Sequence, residues 1–502
     1  MGLLNKFKDQ LSSSSPSYDF PPPPHPIPLG PSAIFRYRKQ RGINLGSWFS
    51  LERWISPHVF RGAAEPGQSD YDVARGGSDA KRILEEHWDT WVTEDDFRWI
   101  AERGFNCVRL PIAYYHLCGP LFEVLKGTDF EPYHHVFEGA WGRIKQAVEM
   151  AGSYGLGVLI DLHGAAGGQN PDAHAGLSRG RVAFWDTHAN QASTSLALRF
   201  LASQFASVPH VVGLELLNEP QNNSKLQGWY NHTIDEIRSV APPDFPLYLS
   251  DAWDTQHYAD YIGRRDDFVV LDHHLYRCFT GDDKHKSGVA HAKELRGHFK
   301  SVFAGQCGAA KGALVVGEWS GSLDPQSFTP GLPDGEKDAQ RREFVLSQIE
   351  LFENHAAGWW FWTYKKGDGW DAGWSARDAS TAEIIPSWVG GGRFKGMPPR
   401  EVKDAELQSG HHAHTSYWQA NGESPDPTVY APGFSQGWDD ALIFLSAGNG
   451  TSTSEMGFVL HWAARRKAEY EGRAGRKLGK ATWEWEHGFK QGVEAAKRVC
   501  LA

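Results

Sequence analysis

Cysteine is scarce in this chain. There are five in 502 residues, Cys107, Cys118, Cys278, Cys307 and Cys500, and no two form a CxxC pair. That spacing excludes a cysteine metal cluster and a disulfide framework, and leaves room for one or two bridges at most. Basic residues are also short, 51 Lys and Arg against 61 Asp and Glu, for a net charge of −10. Without a basic surplus no nucleic-acid partner is expected. No apolar run is long enough to span a bilayer, so stable membrane insertion is not expected either. The first twenty residues, MGLLNKFKDQLSSSSPSYDF, hold no uninterrupted apolar segment of the kind that directs secretion. Lys6 stands where an N-myristoylation signal beginning at Gly2 wants Ser or Thr. The expectation is a chain that works in the cytoplasm. Three Asn-x-Ser/Thr triplets, at Asn222, Asn231 and Asn449, pull mildly the other way.

Aromatics are plentiful: 13% of the chain, with 21 Trp. Most belong in a core, but flat apolar rings also stack on sugar faces. Residues 1–34 are Ser- and Pro-rich (SSSSPS, PPPPHPIP) and read as a disordered arm. Beyond them, apolar runs alternate with helical patterns.

Two runs carry the chemistry. Val211-Val212-Gly213-Leu214-Glu215-Leu216-Leu217 reads as a buried strand and breaks off in Asn218-Glu219-Pro220. Ala313-Leu314-Val315-Val316-Gly317 likewise delivers Glu318 and Trp319. Two carboxyls at the ends of two buried strands meet the requirement of glycoside cleavage, in which one protonates the leaving oxygen and the other attacks the anomeric carbon or activates water. Counting every such run gives eight strands, ending at Asn44, Arg109, His163, Asn218-Glu219, Asp251, His274/Tyr276, Glu318 and Trp362. Eight strands mostly separated by helices specify an α/β fold, a (β/α)8 TIM barrel, with its chemistry where the strands end. Residues 366–454 read as an irregular insertion, with Trp370 and Trp374 near its start and an exposed polar loop at His411-His412-Ala413-His414. Residues 455–498 read as the last barrel helix. Residues 35–502 are thus expected to form a single catalytic domain.

The motifs RGINLGSW-x3-ERW, HWDTWVTEDDF, GFNCVRLPIAYY, DLHGAAGGQN, LELLNEP, HHLY, VVGEWS and FWTYK, from about Arg41 to Lys365, together resemble glycoside hydrolase family 5, most closely its fungal exo-β-1,3-glucanase branch. The resemblance implies Glu219 as acid/base and Glu318 as nucleophile of a retaining double displacement. It implies Arg109 and Tyr276 as hydrogen-bond partners of Glu318, and Asn218 on the sugar 2-hydroxyl. His163, His274 and Tyr276 would line the subsite, Trp362 would form its floor, and Glu52 would grip the terminal glucose, as in exo-acting members. In that branch an Asp-Asn pair after Gln-Asn also contacts the terminal sugar. Here Ala173 and His174 occupy those places, with Asp172 one residue earlier, so Asp172 and His174 join the candidate substrate contacts. The expected activity is an exo-acting β-glucosidase or glucan β-1,3-glucosidase. The alternatives are a β-glucosidase for a lipid or small-molecule glucoside, such as a steryl glucoside, and a non-catalytic carbohydrate-binding protein. The expected partner is a β-glucan oligosaccharide or β-glucoside; no metal or organic cofactor is implied.

Overall fold

The computed structural model describes residues 29–422, 425–448, 453–475 and 477–502. Eight strands close a barrel in chain order: β1 (Gln40–Asn44), β2 (Cys107–Ala113), β3 (Gly157–Gly164), β4 (Val211–Glu215), β5 (Leu247–Ser250), β6 (Val269–Leu275), β7 (Leu314–Trp319) and β8 (Gly358–Phe361). Every pair is parallel, and β8 returns to β1 with Ile43 opposite Phe361. Nearly every strand residue is buried, because helices cover the outer face while side chains fill the inside. The sequence therefore shows continuous apolar runs instead of alternation.

Helix starts obey local rules. Glu94–Glu102 opens on a capping box in which the Asp96 carboxylate accepts the Thr93 N–H at 2.8 Å, and Gly104, at φ +85°, ends the turn that follows. The expected outer helices appear at Ala140–Ser153, His188–Phe205, Leu226–Arg238 and Asp334–His355. Between β6 and β7 the outer layer carries two helices, Gly288–Arg296 and His298–Ala309, broken at Gly297.

Three expectations change. The arm is shorter than 1–34, because a helix with proline in its first turn covers Pro31–Tyr37; residues 1–28 lie outside the described residues, as does Asn449. The segment 366–454 is not irregular: it holds helices at Ala376–Thr381, Arg400–Ala420 and Pro427–Ser446. The three histidines lie on the second of these, and His414 is buried against Tyr430, with ring centroids 4.5 Å apart. Finally, residues 455–498 form two helices, Val459–Ala474 and Thr482–Cys500, and the chain divides into two compact units. One comprises Leu29–Lys395 with Phe444–His461 and Leu501–Ala502, and contains the barrel. The other comprises Gly396–Ile443 and Trp462–Cys500, and is helical.

The helical unit has a core of its own. A Cβ on Gly433 would lie 2.2 Å from the Trp485 carbonyl oxygen, and one on Gly437 2.0 Å from that of Phe489. Gly488 and Gly492 stand equally close to the Tyr430 and Phe434 carbonyls. Two helices thus meet backbone to backbone through a reciprocal four-residue glycine spacing. Gly433 and Gly437 weaken the helical pattern of their own segment, which is why 366–454 reads as irregular. Phe434, Trp438, Trp485 and Phe489 fill the space beside them, and buried Asp440 accepts hydrogen bonds from Trp462 and Arg466 at 2.8 Å each.

Candidate active site

Arg109 stands at the hub. It projects inward from the middle of β2, fully buried, and its guanidinium is saturated. Nε donates to Glu215 at 2.7 Å, Nη1 to Glu318 at 2.9 Å and Asn44 at 3.0 Å, and Nη2 to Asn218 at 2.8 Å, with Asp161 3.1 Å away. Burial works against its charge, but the carboxylates of Asp161, Glu215 and Glu318 outweigh burial and push its pKa well above the ordinary arginine value.

Glu318 leaves β7 with one oxygen on Arg109 and the other accepting the Tyr276 hydroxyl at 2.8 Å. Burial, then the Glu318 charge, raise the Tyr276 phenol well above its usual range, so it stays a donor. Glu219 faces Glu318 from the turn after β4. Its φ is +43°, in the left-handed region that side-chain-bearing residues seldom adopt, a local strain typical of functional positions. His274 of β6 lies between the two acids, with Nδ1 2.7 Å from Glu219 Oε1 and 3.5 Å from Glu318 Oε2. One oxygen of each glutamate and a His274 nitrogen all lie within 4.8 Å of one another. Burial would raise the Glu219 carboxyl, but the hydrogen bond and charge of His274, with His174 and His163 behind it, bring it down to about 2. His274 moves the opposite way, well above the usual imidazole value. Burial opposes this; the charges of Glu318 and Asp272 and the hydrogen bond to Glu219 prevail.

The remaining candidates surround this pair. His163 of β3 gives Nδ1 to Asp161 at 2.7 Å and stacks parallel to Trp362, with centroids 5.8 Å apart. Asp161 also outweighs burial in raising the His163 pKa. Trp362 is held by contact with Gly46, where a Cβ would lie 2.6 Å from the indole. Glu52 accepts from the Trp54 indole at 2.7 Å; burial raises its carboxyl, and His174 and His163 moderate that. His174, in place of the expected asparagine, sits edge-on to His163 and 3.7 Å from Glu219, with the Asn170 amide 3.2 Å from its Nε2. Glu52, Asp172, His174, Glu219, Tyr276, Glu318 and Trp362 line one open cleft of about 920 Å³, whose rim carries Trp54, Trp253, Phe279 and Trp374. Asp172 is exposed there.

Not every strand-end residue faces the cleft. Asp251 turns away: it caps the Trp253 N–H at 3.0 Å and pairs with His273 at 2.6 Å. Asn44 lies beneath, donating to the Gly317 carbonyl at 2.8 Å. Trp374 lines the cleft, whereas Trp370 is exposed and outside the lining. Cys107 and Cys278 are buried free thiols.

The sequence reading missed three acids. Asp161, Glu215 and Asp272 are completely buried and form a layer below the glutamates. A signal was available, since Asp161 precedes His163 by two and Asp272 precedes His274 by two, and residues two apart on a strand share a face. Among the described residues, three trios place donor atoms within 4.8 Å of one another: Glu52, His163 and His174; Glu215, Asp272 and His274; and Glu219, His274 and Glu318. These are the groups a metal ion would use. The last trio is also what acid–base chemistry on a glycosidic bond requires.

A closed parallel barrel with paired carboxyls at its strand ends defines a class, and comparison places the chain within it. Residues 75–368 match the family "Cellulase (glycosyl hydrolase family 5)", and residues 400–500 match "Glucan 1,3-beta-glucosidase 3 C-terminal domain". The chain belongs to glycosyl hydrolase family 5 and is a glycoside hydrolase. It is 30% identical over 481 residues to glucan 1,3-beta-glucosidase 3 of Schizosaccharomyces pombe, covering 92% of this chain and 96% of that one. It is 31% identical over 389 residues to a probable glucan 1,3-beta-glucosidase A of Aspergillus fumigatus, covering 69% and 87%. The crystal structure of rutinosidase from Aspergillus niger shares the fold, with a TM-score of 0.56 at 18% identity, over 68% of this chain and 94% of that one. The second family match coincides with the helical unit, the part that the sequence alone assigned to the barrel.

Proposed function

We propose that this chain is a retaining, exo-acting β-glucosidase that removes terminal glucose from β-1,3-glucan oligomers. The observation that carries the reading is the meeting of Glu219 and Glu318, with carboxylate oxygens within 4.8 Å and His274 between them. Retaining enzymes need their carboxyls about 5 Å apart, too close for a water to fit between sugar and base. Names carried by full-length relatives supply the substrate class.

In this reading Glu318, paired with Arg109 and oriented by Tyr276, attacks the anomeric carbon. Glu219 gives a proton to the glycosidic oxygen, which departs as an alcohol. A covalent glucosyl ester on Glu318 remains. Glu219, now a base, takes a proton from the incoming water, which attacks the same carbon and frees glucose with its β configuration kept. Asn218, fixed by Arg109 at 2.8 Å, contacts the sugar 2-hydroxyl. Trp362 is the floor of the subsite. Glu52 and His174, on the side of the cleft near His163, grip the terminal sugar and block a longer chain. Asp172 at the rim adds a further contact.

One observation favours a second substrate class. Trp253 and Phe279 are more than 60% exposed at the rim, next to Trp374. A ring of exposed aromatics suits a flat apolar aglycone, such as that of a steryl glucoside, as well as a second sugar. We also propose a reducing compartment, the cytoplasm, for the activity; that Cys107, Cys118, Cys278 and Cys307 are buried free thiols supports it.

The test runs p-nitrophenyl β-glucoside, laminaritriose and a steryl glucoside in parallel, with Glu318→Gln as control. Stepwise glucose release from laminaritriose supports the oligosaccharide reading. Turnover of the steryl glucoside alone replaces it with the second. An active Glu318→Gln on every substrate sinks both.

A further inference from the structure

Asp272 has no task in the double displacement. It lies on β6 two residues before His274, on the same inward face and one pleat deeper, fully buried. Neither of its carboxylate oxygens has a hydrogen-bond partner. Its ion pair is with His274, whose Nε2 is 3.5 Å from Asp272 Oδ2 and has no hydrogen bond of its own. The other nitrogen of that ring is the one 2.7 Å from Glu219. His274 therefore joins the buried acid below to the glutamates above.

The neighbours on the facing strands leave His274 as the cation that answers Asp272. From β2, Arg109 is engaged by Glu215, Glu318 and Asp161. From β3, Asp161 is taken by Arg109 and by His163, whose Nδ1 is 2.7 Å away. From β4, Glu215 shares the space with Asp272 and His274, all within 4.8 Å, and burial holds its carboxyl well above the usual range, toward the neutral form. From β5, the buried Tyr248 phenol is likewise raised, first by burial. From β7 come Glu318, on the far side of His274, and Gly317, where a Cβ would fall 2.2 Å from both Asp272 oxygens. Only glycine at 317 lets the carboxylate lie where it does.

We propose that Asp272 is a positioning residue that keeps a proton on His274, so that the Glu219–His274 pair enters the reaction already carrying the proton the leaving oxygen takes. This rests on Glu219 being the proton donor. The balance is simple. A proton moves from His274 Nδ1 to Glu219 Oε1 and on to the glycosidic oxygen. Meanwhile the bond from the anomeric carbon to that oxygen breaks and the bond to Glu318 forms. The water that later attacks returns a proton to Glu219 and so to the pair. No proton passes through Asp272. The low Glu219 carboxyl is then no obstacle to its acting as an acid, because the proton is stored one hydrogen bond away.

Asp272→Asn removes the negative charge and keeps the shape. The full chain is assayed from about pH 4 to about pH 9 on two β-glucosides. One has a poor leaving group that needs the proton; the other is a dinitrophenyl glucoside that leaves without help. For the poor leaving group, the basic limb of kcat/KM moves down by about one pH unit or more, and the rate near neutrality falls about tenfold or more. The dinitrophenyl rate changes little. An unmoved basic limb overturns the proposal, and so does an equal loss on both substrates, which reduces Asp272 to a structural role. Asp272→Ser, smaller and equally neutral, carries the same test if the Asn variant does not fold. Glu219→Gln measured alongside separates the two ideas. Full activity of Glu219→Gln on the poor leaving group removes the acid assignment itself. Loss there, together with an unmoved Asp272→Asn profile, removes only the present proposal.

Discussion

Replacing His274 with leucine breaks the pair that sets the charge state of the site, and its cost follows from the structure. In the folded chain the Glu219 carboxyl is held at about 2, against an ordinary value of 4.5. At about 1.36 kcal/mol per pH unit, that difference is worth roughly 3 kcal/mol of stability in the ionised state. Because the folded value lies below the unfolded one, this stabilisation is complete above about pH 4.5 and fades as pH falls toward 2. Leucine supplies neither charge nor donor, and Glu219 stays buried, so the variant should be less stable than the parent by about 3 kcal/mol at pH 7, the range expected for a broken buried pair. The gap between the two proteins should close progressively between pH 4.5 and 2. Urea unfolding followed by circular dichroism over that interval gives the difference curve, to which Asp272 and Glu318, the other carboxylates facing His274, also contribute. A gap that stays constant from pH 7 to pH 2 refutes the reasoning, because Glu219 would then owe nothing to His274.

Other outcomes follow from single contacts. Tyr276→Phe deletes the donor 2.8 Å from Glu318; one charge-assisted hydrogen bond is worth about 1.5–3 kcal/mol, so kcat/KM should fall roughly ten- to hundredfold with the melting temperature nearly unchanged. Glu219→Gln should lose about a hundredfold or more on a methoxyphenyl β-glucoside and far less on a dinitrophenyl one, with added azide restoring rate as a glucosyl azide of retained configuration. Gly46→Ala puts a Cβ 2.6 Å from the Trp362 indole; tilting the subsite floor should raise KM for glucosides severalfold, and a wild-type KM would show that the ring has room to move. Gly437→Ala drives a Cβ to 2.0 Å from the Phe489 carbonyl and should lower the unfolding free energy of the helical unit, read by urea titration, by an amount typical of overpacking, about 1–3 kcal/mol.

The barrel and the ring of strand-end side chains were legible in the amino-acid sequence because both are written locally. A buried parallel strand is a short apolar run. The residue that ends it is polar because it meets solvent or ligand, and helices between strands carry caps such as Thr93 with Asp96. Glu219, Glu318, His163, His274, Tyr276 and Trp362 could be located this way, whereas Arg109, read as the end of its strand, lies in the middle of β2, fully buried; the closed barrel brings them all together. Asp251 shows the limit of the rule. It occupies an equivalent strand end, yet its carboxylate is used up on its own turn and on His273, which no local pattern records. Tertiary structure alone decided the rest. Asp161, Glu215 and Asp272 interrupt apolar strands and read as isolated polar substitutions until barrel closure stacks them below the glutamates and gives each a cation. The helical unit was hidden for the opposite reason. Gly433 and Gly437 depress the helical pattern of their segment, whereas 455–498, with Gly488 and Gly492, reads as a helix but as one of the barrel; the purpose of all four exists only between two helices whose backbones touch. Local propensity and hydrophobic period fix what a segment can become; which buried charge answers which, and which backbone needs a neighbour without a side chain, are properties of pairs distant in the chain.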